Sequence, residues 1–200
     1  MAPKDEHELQ QMMKTAIEYN DGPIAFRYPR GSGEGVPLSM EGQGGKLARG
    51  QAESLPIGKG ELLKEGDDVL LVAIGNRVYP ALEAASTLSK SPLPPFGKGG
   101  KGGISAAVVN ARFVKPLDED LILPLAARIR KVITIEDNSI MGGFGSAVLE
   151  AIAEHGLNNI TVRRLGIPDK FVEHGDPKIL YRLCGYDTDS IVRVALEMVS

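Results

Sequence analysis

The run Val69-Leu70-Leu71-Val72-Ala73-Ile74 contains no polar side chain. A strand with one wet face alternates apolar and polar residues, so an unbroken apolar run belongs to a strand covered on both faces. Further strands are predicted over 104–110, which is rich in Ala and Val, over 131–136 and over 160–165. Segments with helical spacing lie between them. Asn76 is placed to cap a helix carrying Val78, Ala81, Leu82, Ala85 and Leu88 on one face. Asp118-Glu119-Asp120 opens a second helix that closes on Arg128 and Arg130, charges matched to the macrodipole. Pro124 marks the first turn of that helix's second part, because an interior proline would break it. A helix follows over 144–155, and Asp176-Pro177 starts a short one. Ile191, Val194, Ala195 and Met198 face the core from the last helix. Strands alternating with helices over 60–200 predict an α/β fold: a three-layer α/β/α domain with a mostly parallel mixed sheet. The segments 61–64 and 69–74 read as two strands of a hairpin around Glu65-Gly66-Asp67-Asp68, the first running antiparallel to the rest.

Residues 5–19 predict a separate helix. Asp5 and Glu8 have capping-box spacing, and Leu9, Met12, Met13, Ala16 and Ile17 form the apolar face. Turn residues Asn20-Asp21-Gly22-Pro23 end it, and Ile24–Tyr28 reads as a short strand. Periodicity then disappears until about Ser54. Of the 24 glycines, nine lie in 31–60 and five in 97–103, so the excess belongs to two loops and not to the folded part. A structureless stretch this long marks a domain boundary. Residues 1–37 are therefore expected to belong to one unit, 38–55 to a glycine-rich linker and 56–200 to the α/β domain. The proline- and glycine-rich 91–103 could be a polyproline ligand, but an inserted low-complexity loop is the favoured reading, because loop closure costs grow slowly with length.

Net charge −3 and pI near 5.7 leave no basic footprint for nucleic acid. No apolar run is long enough to cross a bilayer. A single cysteine, Cys184, excludes an internal disulfide and a cysteine zinc site, and is read as a core residue. The first residues do not resemble a signal or transit peptide, so a cytoplasmic location is expected.

Gly142-Gly143-Phe144-Gly145-Ser146 follows a strand and opens a helix, where backbone N–H groups could hold an anion. It matches neither a Walker loop nor a dinucleotide fingerprint, and close helix-on-sheet packing is the preferred reading. Glu136 and Asp137 are adjacent on a strand, so their carboxylates point to opposite faces and do not converge; turn-making and helix capping are expected of them. In Arg27-Tyr28-Pro29-Arg30-Gly31, a fixed and then a freed backbone projects Arg30, whose guanidinium could grip a phosphate or form a surface salt bridge. His7, His155 and His174 show no ligand spacing, and no Ser/His/Asp set is discernible.

Several blocks in fixed order resemble 1-deoxy-D-xylulose-5-phosphate synthases: Tyr19-Asn20-Asp21-Gly22-Pro23, Tyr28-Pro29-Arg30-Gly31, Ala111-Arg112-Phe113-Val114-Lys115-Pro116-Leu117-Asp118, Glu136-Asp137-Asn138, Met141-Gly142-Gly143-Phe144-Gly145-Ser146 and Leu165-Gly166-Ile167-Pro168-Asp169. Transketolases are more distantly similar. The resemblance implies a carboxy-terminal fragment: the last helix and strand of a pyrimidine-binding domain, then a transketolase-like terminal domain. It further implies a cytoplasmic homodimer that uses thiamine diphosphate and Mg2+ to condense pyruvate with D-glyceraldehyde 3-phosphate. The product would be a precursor of isoprenoids, thiamine and pyridoxal. By the same resemblance Arg30 binds the sugar phosphate. The family's Gly-Asp-Gly cofactor motif does not occur in this sequence, and Asn158-Asn159 is read as coincidence, so no catalytic, cofactor or metal residue is assigned here. The chain alone is expected to be inactive. Alternatives are a non-catalytic module docking a separately encoded catalytic portion, or the terminal domain of another transketolase-like enzyme.

Overall fold

The computed structural model describes residues 1–29, 52–90 and 103–200. The expected linker as far as residue 51, and residues 91–102 of the expected insert, lie outside the described residues.

Five strands form one sheet: β1 (Glu61–Lys64), β2 (Val69–Ala73), β3 (Ala106–Asn110), β4 (Lys131–Ser139) and β5 (Thr161–Ile167), in the order β1-β3-β2-β4-β5. The last four strands run parallel to one another, and β1 is antiparallel to β3. Every residue of β2 and β3 is buried, which is the burial that the unbroken apolar runs require. Alternation sorts the side chains. Leu70, Val72, Val109 and Val132 meet α3 (Glu119–Ile129) and α4 (Phe144–Glu154) on one face. Val69, Leu71, Val108 and Ile133 meet α2 (Val78–Lys90) and α6 (Thr188–Val199) on the other. The expected three layers are present.

The hairpin is a correction. β1 does not pair with β2, because β3 enters between them, Glu61 facing Asn110 and Leu62 facing Val109. The connection over 65–68 crosses the start of β3, where Asp67 and Asp68 N–H groups donate to the Ser105 carbonyl at 3.1 and 2.9 Å. Gly66 permits this crossing, since a Cβ there would overlap the backbone of Ala106 and Ala107.

Two helix expectations also change. Pro124 sits inside one continuous α3, not at the start of a second part. It lies on the exposed side, so water can serve the carbonyl that its missing N–H leaves free. Asn76 lies in a short 3₁₀ turn, Gly75–Arg77, and its side chain donates to Asp137 instead of capping α2.

In the amino-terminal helix α1 (Glu6–Glu18), Asp5 caps as expected, accepting from the Glu8 N–H at 2.7 Å. The buried face is different, however: Glu8, Met12 and Thr15 point inward, while Met13 and Ile17 are 46% and 78% exposed. Polar bonding decides the orientation. Glu8 is fully buried, and its carboxylate accepts from Arg112 Nε at 2.6 Å, Asn110 Nδ2 at 2.9 Å and Lys4 Nζ at 3.1 Å. Arg112 and Lys4 also both reach Glu61. Thr15 Oγ1 accepts from the Leu55 N–H at 2.7 Å. Ile24–Tyr28, expected as a strand, forms no strand and pairs with none among the described residues. Its backbone bonds are to Met1, whose ammonium donates to Ala25 and whose carbonyl accepts from Arg27, both at 3.0 Å. Without a neighbouring strand it has no ladder to enter.

Removing one partner of a buried charge pair leaves the other uncompensated. Glu8→Ala is therefore expected to lower unfolding stability by about 3–5 kcal/mol, read as a shifted urea midpoint. A midpoint within error of the unmodified chain would contradict the network's role.

Candidate functional site

From β2 the chain crosses to β3 on one side, and β4 returns to the other side of β2. The carboxyl ends of β2 and β4 therefore form a topological switch point, where the flanking connections diverge and open a crevice. A cavity of about 110 Å3 lies there, bounded by Gly75 and Asn76 after β2, by Asp137 of β4, and by Arg27, Tyr28 and Pro29. That last segment is held through Met1, whose carbonyl accepts from the Arg27 N–H, and Ala2, whose N–H donates to the Arg112 carbonyl just after β3. A second cavity, of about 270 Å3, is walled by Pro23, Ile24, Phe113, Val114 and Pro116, with Tyr19 and Lys115 as its polar side chains. It presents no carboxylate and no acid–base pair. The smaller crevice is the candidate site.

Glu136 and Asp137 diverge to opposite faces, as strand geometry requires. Glu136, 1% exposed, turns to α4 and accepts from the Phe144 and Gly145 N–H groups, both at 2.8 Å. This is the helix capping expected of the acidic pair, and it settles the glycine-rich turn. The anion at the α4 amino terminus is the protein's own carboxylate. Gly143 lets the carboxylate sit so close, since a Cβ there would overlap Glu136 Oε2 and the Ser139 carbonyl.

Asp137 turns to the other face. Its Oδ1 accepts from Tyr186 Oη at 3.0 Å, and its Oδ2 accepts from Asn76 Nδ2 at 2.9 Å and Tyr181 Oη at 3.3 Å. Tyr181 belongs to α5 (Pro177–Cys184), which Asp176 caps as its Asp-Pro start predicts. The Arg77 guanidinium lies 3.8 Å from the Tyr181 ring centroid and 5.7 Å from that of Tyr186. Burial first, and then the Asp137 charge, push both phenols above the ordinary tyrosine value of 10.0. They stay protonated donors at neutral pH.

Arg30, the sequence-predicted phosphate ligand, lies outside the described residues. Its described neighbours Tyr28 and Pro29 line the crevice. Among the described residues no group of three or more His, Cys, Asp or Glu side chains could hold a metal ion. Among the described residues, the glycine-rich turn before α4 is closed by Glu136, so these residues do not fit thiamine diphosphate and Mg2+. His155 contacts the Ala151 carbonyl and lies 3.5 Å from Glu119. Cys184, read as core, is only half-buried. Sequence reasoning missed Arg77, Tyr181 and Tyr186, which no local spacing connects to Asp137. It also missed the Arg112–Glu8 pair, although Arg112 stood within a quoted motif.

A family model described as transketolase, C-terminal domain, matches residues 58–191. The chain belongs to that family. It is 50% identical over 200 residues to 1-deoxy-D-xylulose-5-phosphate synthase of Gloeobacter violaceus, covering 100% of the chain and 28% of the relative. It is 51% identical over 191 residues to 1-deoxy-D-xylulose-5-phosphate synthase 1 of Geobacter sulfurreducens, covering 96% and 26% respectively. It thus spans about a quarter of the length of these curated relatives. A solved structure titled "Split gene transketolase, inactive beta4 tetramer" superposes with TM-score 0.75 at 29% identity, over 99% of this chain and 56% of that one. The transketolase carboxy-terminal fold accounts for the strand order and the flanking helices.

Two outcomes follow from the site. Glu136→Ala exposes two buried N–H donors without a partner and is expected to cost about 1–3 kcal/mol, with α4 amides exchanging faster in hydrogen exchange; unchanged α4 protection would contradict the cap. A tyrosine whose folded pKa is raised contributes stability that is fully present below the unfolded value, near 10.0, and is lost as pH rises above it. The urea midpoint is therefore expected to fall between pH 9 and 11, roughly in step with unfolded-state phenol ionisation. Tyr186→Phe should show a smaller fall, and an equal fall would contradict the proposed contribution.

Proposed function

We propose that this chain is the carboxy-terminal part of a 1-deoxy-D-xylulose-5-phosphate synthase. The complete enzyme would condense pyruvate with D-glyceraldehyde 3-phosphate, releasing CO2 and giving 1-deoxy-D-xylulose 5-phosphate for isoprenoid, thiamine and pyridoxal synthesis. The observation that carries this reading is the end-to-end match, 50% identical across 100% of the chain, to one portion of a synthase. In this proposal residues 1–37 are the tail of a pyrimidine-binding domain, 38–55 a linker and 56–200 the terminal domain. Thiamine diphosphate and Mg2+ belong to the remaining polypeptide, in a cytoplasmic homodimer. Two features of the structure support the division. Helix α1 turns Met13 and Ile17 outward, and Ile24–Tyr28 pairs with no strand among the described residues. Further polypeptide would cover both. Arg30 is next in sequence to Pro29, which lines the crevice, and would grip the phosphate bidentately.

A second reading is a non-catalytic module that docks a separately encoded catalytic portion. It is favoured by the resemblance to a solved structure whose title describes a split-gene transketolase as an inactive tetramer. The synthase relatives at 50% and 51% identity favour the named reaction over that of another transketolase-like enzyme.

Mixing the purified chain with the preceding portion of a related synthase distinguishes these readings. No product is expected from the chain alone, and 1-deoxy-D-xylulose 5-phosphate is expected on mixing. Product from the chain alone would refute its dependence on the rest. Co-purification of the chain with a separately encoded catalytic portion, and product only from that mixture, would favour the docking module. In the active mixture, Arg30→Ala is expected to raise KM for D-glyceraldehyde 3-phosphate roughly 10- to 100-fold, the loss of a charged hydrogen bond, with KM for pyruvate unchanged. Equal KM values for the phosphorylated substrate would remove Arg30 from the site.

A further inference from the structure

We propose that Asp137 is a hydroxyl-recognition point in the switch-point crevice, accepting a hydrogen bond from a neutral hydroxyl of a small phosphorylated polyol or sugar. This rests on the sugar-phosphate reading above and adds to it the orientation of the ligand. A carboxylate offers about four acceptor positions. Three donors occupy Asp137: Tyr186 on Oδ1, and Asn76 and Tyr181 on Oδ2. One position remains, on a residue that forms part of the cavity wall. The carboxylate is held from three directions, so it is ordered before a ligand arrives and loses little freedom on binding.

The surrounding charges select the kind of donor. Asp137 enters no ion pair among the described residues, yet two guanidinium groups stand near it. Arg27 lines the same cavity, and Arg77 packs over the tyrosine whose hydroxyl Asp137 holds. An ammonium group entering the crevice would meet the Arg27 guanidinium on its wall, with Arg77 adding positive charge behind the tyrosines. A phosphate placed against Asp137 would meet its negative charge. A neutral hydroxyl satisfies the open acceptor position without either repulsion, so the ligand's phosphate is directed to the end of the crevice away from Asp137.

The test uses the full chain and two stable esters, sn-glycerol 3-phosphate with two hydroxyls and n-propyl phosphate with none, titrated by amide chemical shifts. The unmodified chain is expected to bind glycerol 3-phosphate about 10-fold more tightly, the worth of a hydrogen bond to a charged group. Asp137→Asn is expected to abolish that preference and leave propyl phosphate within about twofold. Tyr186→Phe, which loosens the carboxylate without removing it, should reduce the preference to about threefold; it carries the test if the Asn variant loses its folded amide spectrum. Equal affinity for the two esters in the unmodified chain would overturn the role of Asp137 and leave the phosphate reading standing. A preference that survives Asp137→Asn would also overturn it. Failure of both esters to bind would overturn this inference and the sugar-phosphate reading together.

Discussion

A carboxylate withdrawn fully from water is tolerable only where charge and hydrogen bonds replace its hydration, and Glu8 is such a group. Arg112, Lys4 and Asn110 surround it, and Glu61 shares the two cations. Lys4 and Glu8 come from the amino-terminal segment, Glu61 from the edge strand β1, and Asn110 and Arg112 from the end of β3 and just beyond it, so one ionic cluster ties the amino-terminal segment to the α/β domain. The crevice lies where that segment meets the sheet. One of its walls, Arg27 to Pro29, is carried by the segment that α1 anchors, and the opposite wall is the sheet edge.

The adjacent acids of β4 divide the work of the site between the two sides of the sheet. Glu136 ends on the α4 side, where it neutralises the positive end of a helix and fills a position that a phosphate would otherwise suit. Asp137 ends on the other side, in the crevice, held by the Tyr181 and Tyr186 hydroxyls, whose ionisation burial pushes further up. A pleated strand is what permits this, since neighbouring side chains must leave by opposite faces. The same chain segment thereby closes one anion site and furnishes the wall of another pocket.

Helix α1 is amphipathic in an inverted sense. Its buried face places Glu8 and Thr15 beside Met12, while Met13 and Ile17 turn to solvent. Desolvated polar groups with matched partners govern the orientation, because leaving Arg112 and Asn110 buried without Glu8 would cost more than exposing Met13 and Ile17. Such a helix is stable on this domain and still offers an apolar stripe to other polypeptide. That agrees with a chain spanning about a quarter of its curated relatives.

The local code was sufficient for much of the α/β domain. The unbroken run at Val69–Ile74 required a strand covered on both sides, Asp5 and Asp176 announced helix starts, and the alternation of patterns predicted three layers. The divergence of Glu136 and Asp137 was likewise readable, being a property of any extended backbone. These features depend on neighbours a few residues away. What the tertiary structure alone decided involves partners far apart in sequence: the insertion of β3 between β1 and β2, the inward turn of Glu8 toward Arg112, and the meeting of Asp137 with Tyr181 and Tyr186. Strand order and buried polar pairing are settled by competition among distant contacts, each worth little in the unfolded chain, and no local spacing records which of them prevails.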